Sequence, residues 1–152
     1  MRNTTLRLFV LASLILFGML YYYSGQVEKH YAENSSKYLN NALSSISDWQ
    51  ASSLREQLSR DTQSTVSDAQ LEKLTQHYAH FGKFVSMEEP VLSRVSAALS
   101  VFADKPRLGY SSRVKFEKGS AIMTATLTIE DERFKFYNLS FGPVENEVKP
   151  SE

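Results

Sequence analysis

The first hydrophobic pattern along the chain is an unbroken apolar run. From Leu8 to Val27 no charged residue occurs, and leucine, isoleucine, phenylalanine, valine and alanine dominate. A helix needs roughly 20 mainly apolar residues to cross the hydrocarbon layer of a bilayer. The run therefore predicts a transmembrane signal anchor over residues 8–27, preceded by a short cytoplasmic segment of residues 1–7.

The residues that flank this run predict its orientation. Arg2 and Arg7 precede it, whereas residues of mixed charge follow it. Its C-terminal end carries three aromatic residues, Tyr21, Tyr22 and Tyr23, which match the aromatic belt of membrane helices. Because lysine and arginine accumulate on the cytoplasmic side, the pattern predicts a single-pass protein with its N-terminus in the cytoplasm and its C-terminal domain exported across the membrane.

A cleavable signal peptide is the alternative, since it also combines a basic start with an apolar stretch. Cleavage after Ser24 or Gly25 would place Tyr22 or Tyr23 three residues before the cut, where a small residue is required. An uncleaved anchor is therefore favoured. The chain contains no cysteine, so lipid cannot be attached to a cysteine thiol.

Beyond the span, apolar residues recur at the spacing of one helical face. These residues are Val27, Tyr31, Tyr38, Ala42, Ile46 and Trp49. They predict a helix that continues from the bilayer into the exported domain. Ser53–Glu56 has the pattern of a capping box and predicts a second helix through Leu58, whereas the polar residues 60–66 predict a loop.

A second capping box, Ser67–Gln70, precedes the clearest helix of the exported part. Its apolar residues are Leu71, Leu74, Tyr78 and Phe81, and Gly82 marks its end. Residues 84–87 then predict a first strand. Residues 91–103 fit a strand through Val95, Ala97, Leu99 and Val101, or a helix through Leu92, Val95, Leu99 and Phe102. A strand is favoured, and residues 105–109 predict a turn.

From Tyr110 onwards the alternation typical of strands is clear. Val114 and Phe116 alternate with charged residues, and Lys118–Gly119 predicts a hairpin turn. Residues 121–129 and 134–141 predict two further strands. The chain is therefore expected to be α+β, with two to three helices packed on a curved antiparallel sheet of three to five strands. The exported domain would cover residues 28–143, followed by a flexible tail of residues 144–152.

Composition restricts the classes of function. The 17 basic and 17 acidic residues give a formal net charge of zero, which argues against a nucleic-acid-binding protein. The absence of cysteine excludes thiol catalysis and thiolate metal sites. No glycine-rich phosphate loop or nucleophile elbow occurs, and the sequence predicts no cofactor.

The exported region resembles the cystatin-like, or nuclear-transport-factor-two-like, bacterial domains of unknown function that a single N-terminal segment exports or tethers. The resemblance covers residues 48–143 and rests on the predicted Trp49 helix, the helix from Leu71 to Gly82, the run 110–130 and the aromatic strand 134–141. It implies a cone closed by helices and sheet. In this sequence Phe134 stands where such domains often carry tryptophan, and residues 91–106 form a longer connection.

Few residues suggest chemistry. His77 and His80 are three residues apart on a predicted helix, a spacing that can present two imidazoles to one metal. They lack an evident third ligand, so a solvated helix flank is favoured, and neither a metal site nor a catalytic residue is predicted. Phe116, Met123 and Phe136 are candidates to line an apolar pocket inside the cone, or else to fill the core.

The favoured hypothesis is a non-enzymatic, single-pass protein of a bacterial inner membrane. Its N-terminus would be cytoplasmic, and its α+β domain in the periplasm would bind a protein partner or assist assembly of an envelope complex. Two alternatives stay open. The domain could hold a small apolar ligand beside Phe116, Met123 and Phe136, or it could be an enzyme that uses His77 or His80.

Overall fold

The computed structural model describes residues 2–100 and 102–144 of the chain. The elements are α1 (Arg2–Ile46), α2 (Ala51–Gln57), α3 (Arg60–Thr65), α4 (Asp68–Tyr78), a 3-10 turn (Ala79–Phe81), β1 (Phe84–Met87), β2 (Val91–Leu92), α5 (Arg94–Ser100), β3 (Arg107–Phe116), β4 (Gly119–Glu130) and β5 (Arg133–Gly142). Helices precede the long antiparallel strands, which confirms the α+β prediction. The predicted tail from residue 145 onwards, and Val101 of the predicted alternation, lie outside the described residues.

Helix α1 is one continuous helix of 45 residues. Its segment Asn3–Tyr23 is long and apolar enough to cross a membrane, and none of that segment is buried inside the protein. The predicted N-terminal apolar helix is therefore confirmed, although this segment begins and ends a few residues earlier than the uncharged run. The remainder of α1 is amphipathic and buries one face, which consists of Ser35, Leu39, Ala42, Leu43 and Ile46.

The sheet has five strands in the order β1-β3-β4-β5, with β2 also paired to β3. All the strand pairs are antiparallel. Strands β3 and β4 pair from Arg107 opposite Thr128 to Phe116 opposite Gly119. The turn between them is therefore Glu117–Lys118, one residue earlier than predicted, because Gly119 already belongs to β4. In the β4–β5 turn, Asp131 and Glu132 both have positive φ, as a two-residue turn of type I′ requires.

The core lies between the inner face of the sheet and helices α1, α2 and α4. Alternate residues of β3 and β4 point inward, as a half-buried sheet requires. Its buried sheet residues are Leu108, Tyr110, Val114, Phe116, Ala121, Met123, Ala125, Leu127 and Phe136. Tyr38 of α1 contacts the rings of Phe134 and Phe136 at centroid distances of 5.7 and 5.6 Å. The buried half of α1 is therefore a structural part of the domain.

The helix that begins after Ser67 is confirmed together with its capping box. The Gln70 backbone N–H donates to the Ser67 hydroxyl at 3.2 Å, and the Ser67 N–H donates to the Gln70 side-chain oxygen at 2.9 Å. The helix continues as the 3-10 turn and stops at Gly82, whose φ is 74°. A side chain is strained there, since a Cβ would lie 3.1 Å from a Glu117 carboxylate oxygen.

The strand prediction for residues 91–103 is wrong for most of its length. Only Val91 and Leu92 pair in the sheet, and Arg94–Ser100 is helical. The reason is tertiary. Ala97 is completely buried on a helix that packs against α1, so the pattern of a small residue with apolar neighbours belongs to a helical surface.

Two further local predictions are wrong. Residues 60–65 form α3 rather than a loop, and Ser59 is its N-cap. Because α3 buries no residue, the sequence shows no hydrophobic periodicity that would predict this helix. Ser53 is not an N-cap, because α2 begins at Ala51. The Ser53 hydroxyl instead donates to the Asp48 carboxylate at 2.6 Å.

The prediction that Trp49 continues the apolar face of α1 is also wrong. Helix α1 ends at Ile46, and Trp49 has a φ of 55°, which is rare for a bulky residue. Its indole N–H donates to the Gly82 carbonyl oxygen at 2.7 Å. This bond joins the end of α1 to the turn before β1 and explains how the backbone of Trp49 is held in that conformation.

Candidate functional site

The outer face of the sheet carries polar residues on β3, β4 and β5, and α5 borders it at Gly109 and Thr126. Three rows of paired residues run across β3, β4 and β5, with one residue from each strand in every row. They are Arg113–Ile122–Gly142, Ser111–Thr124–Ser140 and Gly109–Thr126–Asn138. Ser111, Arg113, Thr124, Asn138 and Ser140 are exposed. We call these rows the outer face. Serine, threonine and asparagine side chains offer both hydrogen-bond donors and acceptors, so this face suits a polar protein surface.

Arg107 and Tyr137 form one end of the outer face. The guanidinium carbon of Arg107 lies 3.8 Å from the centre of the Tyr137 ring, a cation–π contact. Tyr137 is the extra residue of a β-bulge, since Thr126 pairs with Asn138 and Leu127 pairs with Phe136. Bulges redirect side chains, and this one places an aromatic ring beneath a cation.

The edge of β5 is occupied by the chain itself. The Ser59 N–H donates to the Phe136 carbonyl oxygen at 2.8 Å, and the Thr62 hydroxyl donates to the Tyr137 carbonyl oxygen at 2.8 Å. The Phe141 N–H donates to the Tyr78 hydroxyl at 3.3 Å. These bonds use backbone groups that an added strand would need, so they disfavour partner binding at this edge.

The start of β3 is protected in a similar way by α5. The Ser93 N–H donates to the Gly109 carbonyl oxygen at 2.7 Å, and the Gly109 N–H donates to the Ser96 hydroxyl at 2.9 Å. A Cβ at position 109 would lie 3.3 Å from that hydroxyl. Glycine therefore permits α5 to approach the strand closely.

The residues predicted to line a pocket lie in the core. Phe116 is 2% exposed, and Met123 and Phe136 are 0% exposed. A small cavity beside α1, α2, α4 and β5 is lined by Ile46, Trp49, Leu54, Leu74, Thr75, Tyr78, Leu139 and Phe141. Its volume of about 10 Å³ is close to the minimum for one water molecule. The observed geometry therefore gives the three residues a packing role, and the ligand hypothesis stays a prediction.

The two candidate histidines are exposed at the end of α4. The centres of the His77 and His80 rings are 6.5 Å apart, and Nδ1 of His80 lies 2.8 Å from the His77 carbonyl oxygen. In the described part of the chain, no group of three or more histidine, aspartate or glutamate side chains could hold a metal ion. The geometry supports the prediction that His77 and His80 lie on a solvated flank of the helix. His30 is exposed and stacks edge-to-face on Tyr31.

The predicted belt of tyrosines lies on the surface of α1. Tyr21, Tyr22 and Tyr23 are 66%, 65% and 48% exposed. Arg7 is exposed within the apolar segment, and the side chain of Arg2 lies outside the description. The guanidinium carbon of Arg94, on α5, lies 4.5 Å from the centre of the Tyr21 ring. Sequence reasoning missed this contact, because nothing in the local pattern relates α5 to the end of the span.

An aromatic cluster beneath β5 also escaped the sequence analysis. Its members are Trp49, Tyr78, Phe81, Phe116 and Phe141, with centroid distances between 5.1 and 6.4 Å. The abundance of aromatic residues was a visible signal, but their convergence from four elements was not.

Tyr38 is a titratable group of the domain whose pKa is clearly shifted. Burial raises the pKa of the Tyr38 phenol well above its ordinary value, because the charged phenolate would lose its hydration. The hydroxyl donates to the side-chain oxygen of Gln57 at 3.1 Å. This bond joins α1 to the end of α2 and is structural in character.

No family model, no curated protein and no solved structure matches this chain. The resemblance to cystatin-like domains therefore stays a prediction, and the functional argument rests on the geometry.

Proposed function

We propose that this chain is a single-pass protein of a bacterial inner membrane whose periplasmic domain binds a protein partner of the envelope without catalysing a reaction. The observation that carries the proposal is the continuity of α1, which runs from Arg2 through the apolar segment to Ile46. The first half of this helix has the length and composition of a membrane span. The second half is part of the domain core.

The contact between Arg94 and Tyr21 supports an uncleaved anchor. Cleavage after Ser24 or Gly25 would remove Tyr21, and the Arg94 guanidinium would lose the ring that it contacts. Cleavage would also cut α1 in the middle of a regular helix. A helix that spans the bilayer and then enters the core holds the domain close to the membrane with a defined direction.

The orientation follows from the charged residues that flank the apolar segment. Arg2 and Arg7 lie at the N-terminal end of the apolar segment, which the positive-inside rule assigns to the cytoplasm. The domain then lies in the periplasm. That compartment favours disulfides without requiring them, so the absence of cysteine is compatible with it.

The outer face supports binding of a protein partner. It is polar, largely exposed and formed by three long paired strands. In contrast, Ser59, α3 and α4 occupy the edge of β5, and α5 occupies the start of β3. A partner would therefore contact side chains of the outer face rather than extend the sheet. Thr124 lies at the centre of the middle row, between Ser111 and Ser140.

Site-specific photocrosslinking in intact cells tests the partner. A photoreactive amino acid at Thr124 of the full-length protein is expected to crosslink to one discrete envelope protein. The control places it at Glu72, an exposed position on α4, where we expect no such product. The absence of any crosslink at Thr124, or the same products at both positions, would refute binding through the outer face.

Cysteine labelling tests the anchor and its orientation, since every introduced cysteine is unique in this chain. In spheroplasts, a membrane-impermeant maleimide is expected to label Ser140→Cys directly and Thr4→Cys only after lysis. The labelled Thr4→Cys band should have the mass of the full chain. The reverse labelling would overturn the orientation, and a shortened Ser140→Cys band would show a cleaved signal peptide.

A further inference from the structure

The exposed apolar side chains of the exported domain are concentrated in one short segment. Outside the span, the large hydrophobic residues exposed in the described part of the chain are Leu74, Val85, Val91, Val95, Leu99 and Phe102. The last four of these lie between positions 91 and 102. Isolated exposed apolar residues are ordinary on protein surfaces, but a cluster marks an interaction surface.

Helix α5 and the residues after it arrange three of these side chains on one side. Ala97 is completely buried, whereas Val95, Leu99 and Phe102 are 70%, 65% and 74% exposed. Val95 and Leu99 are four positions apart on α5, the spacing that places side chains above one another on a helix. Phe102 follows the end of α5, and its backbone N–H donates to the Leu99 carbonyl oxygen at 3.2 Å. We call Val95, Leu99 and Phe102 the α5 stripe. The side of α5 opposite its buried residue is therefore apolar and faces away from the core.

The position of α5 relative to the span identifies what this stripe meets. Arg94, at the start of α5, contacts Tyr21, which is two residues from the end of the apolar segment at Tyr23. Tyrosine at the end of a span sits at the level of the lipid headgroups. Helix α5 therefore begins at that level and packs against α1.

On the basis of the proposed membrane anchor, we infer that the α5 stripe is a second membrane contact of this protein. Val95, Leu99 and Phe102 insert into the boundary between headgroups and acyl chains of the leaflet that faces the exported domain. A bilayer is the occupant that the geometry favours, because the Arg94–Tyr21 contact connects this apolar surface to the surface of the span. Helices that lie in the membrane interface have this combination of an apolar face and a cationic flank.

A second contact has a consequence for the proposed partner binding. A single span leaves α1 able to rotate about its axis and to tilt within the bilayer. Insertion of the α5 stripe restricts both movements, because α5 also holds the start of β3 through Ser93 and Ser96. The outer face would then point in one direction relative to the membrane.

The lack of native cysteine permits a direct test with single-cysteine variants of the full-length protein. Each variant carries a polarity-sensitive fluorophore and is reconstituted into phosphatidylcholine vesicles with or without brominated lipid. At Leu99→Cys we expect a blue-shifted emission and quenching by the brominated lipid. The matched control is Val85→Cys, an apolar residue of β1 that is 52% exposed, where we expect neither effect.

Two further variants separate this inference from the anchor on which it depends. Phe17→Cys, at a residue 69% exposed in the middle of the span, reports whether the anchor is in the bilayer. Val95→Cys repeats the test of the α5 stripe at a second position, in case labelling at Leu99 disturbs α5. Quenching at Phe17 and at either stripe position, without quenching at Val85, is the expected result.

The contradicting results are distinct. Quenching at Phe17 with none at Leu99 or Val95 would overturn the second contact and leave the anchor intact. No quenching at Phe17 would overturn the anchor itself. A blue shift at Leu99 without quenching would show that protein, for example a second copy of the chain, covers the α5 stripe, and it would also overturn the inference.

Discussion

The two halves of α1 share one helical backbone and have opposite surroundings. In the first half, apolar residues such as Phe9 and Phe17 are 70% and 69% exposed, whereas Leu39 and Leu43 in the second half are 0% exposed. The first half is apolar on all sides, as a lipid-covered helix requires, and the second has one apolar stripe, as a helix on a protein core requires. Helix formation is thus common to both halves, and the distribution of apolar residues around the helix separates them.

Loss of a leucine should have very different effects in the two halves. We expect Leu43→Ala to lower the free energy of unfolding by about 2–5 kcal/mol, since it leaves a cavity beneath the sheet. Leu14→Ala, at a residue 64% exposed in the span, should leave the stability of the domain unchanged. Denaturant unfolding of both full-length variants in detergent micelles measures the difference. Equal destabilisation would break the distinction between the halves.

The stability of the junction that follows the buried half of α1 should depend on Gly82. Its carbonyl oxygen accepts the hydrogen bond from the Trp49 indole. Gly82→Ala is expected to cost about 1–3 kcal/mol, because the backbone conformation there is nearly restricted to glycine and the Cβ would crowd Glu117. Gly119→Ala is the matched control, since a Cβ there meets open space. Thermal unfolding followed by tryptophan fluorescence compares them, and similar melting temperatures would contradict the prediction.

The hydrogen bond of the Trp49 indole should contribute less to the free energy of unfolding than the conformation at Gly82 does. Trp49→Phe keeps an aromatic ring in the cluster and removes the N–H donor, so we expect a loss of about 1 kcal/mol. If another donor bonds the Gly82 carbonyl oxygen in the variant, the free energies of unfolding of the variant and the wild type should be equal. Circular dichroism during urea unfolding gives the value, and a variant more stable than the wild type would contradict the prediction.

Alkaline pH should affect the buried half through Tyr38. Its pKa is raised in the folded state, so the folded protein retains a proton that the unfolded chain loses above about pH 10. The contribution of Tyr38 to stability is present below that pH and falls as the pH rises further. Tyr38→Phe should therefore show a shallower loss of stability between pH 9 and 11. Identical pH profiles of the free energy of unfolding would refute the assignment.

Elements with a strong local signal were predicted correctly. The Ser67 capping box and the apolar spacing after it defined α4, alternation defined β3 and β4, and a run of aromatic residues defined β5. Their boundaries moved by up to three residues, since β3 begins at Arg107, within the predicted turn 105–109. Each of these elements carries its own periodicity, so the pattern does not depend on what the element contacts.

Elements whose pattern depends on their contacts were mispredicted. Helix α3 buries no residue, so it had no hydrophobic period, and α5 was taken for a strand because the same apolar residues satisfy both periods. Ala97 could be recognised as the buried residue of α5 only once α1 was placed beside it. The candidate pocket residues Phe116, Met123 and Phe136 are buried, but sequence cannot distinguish the lining of a pocket from the filling of a core.

The sequence by itself determined the apolar segment and the α+β class. These properties follow from local periodicity and from the free energy of removing apolar residues from water, which act on each segment separately. Only the tertiary structure decided that α1 continues without a break into the core, that Trp49 bonds to Gly82 and that α5 contacts the end of the span. Such contacts join residues far apart in the chain, and they form because several elements bury their apolar faces together.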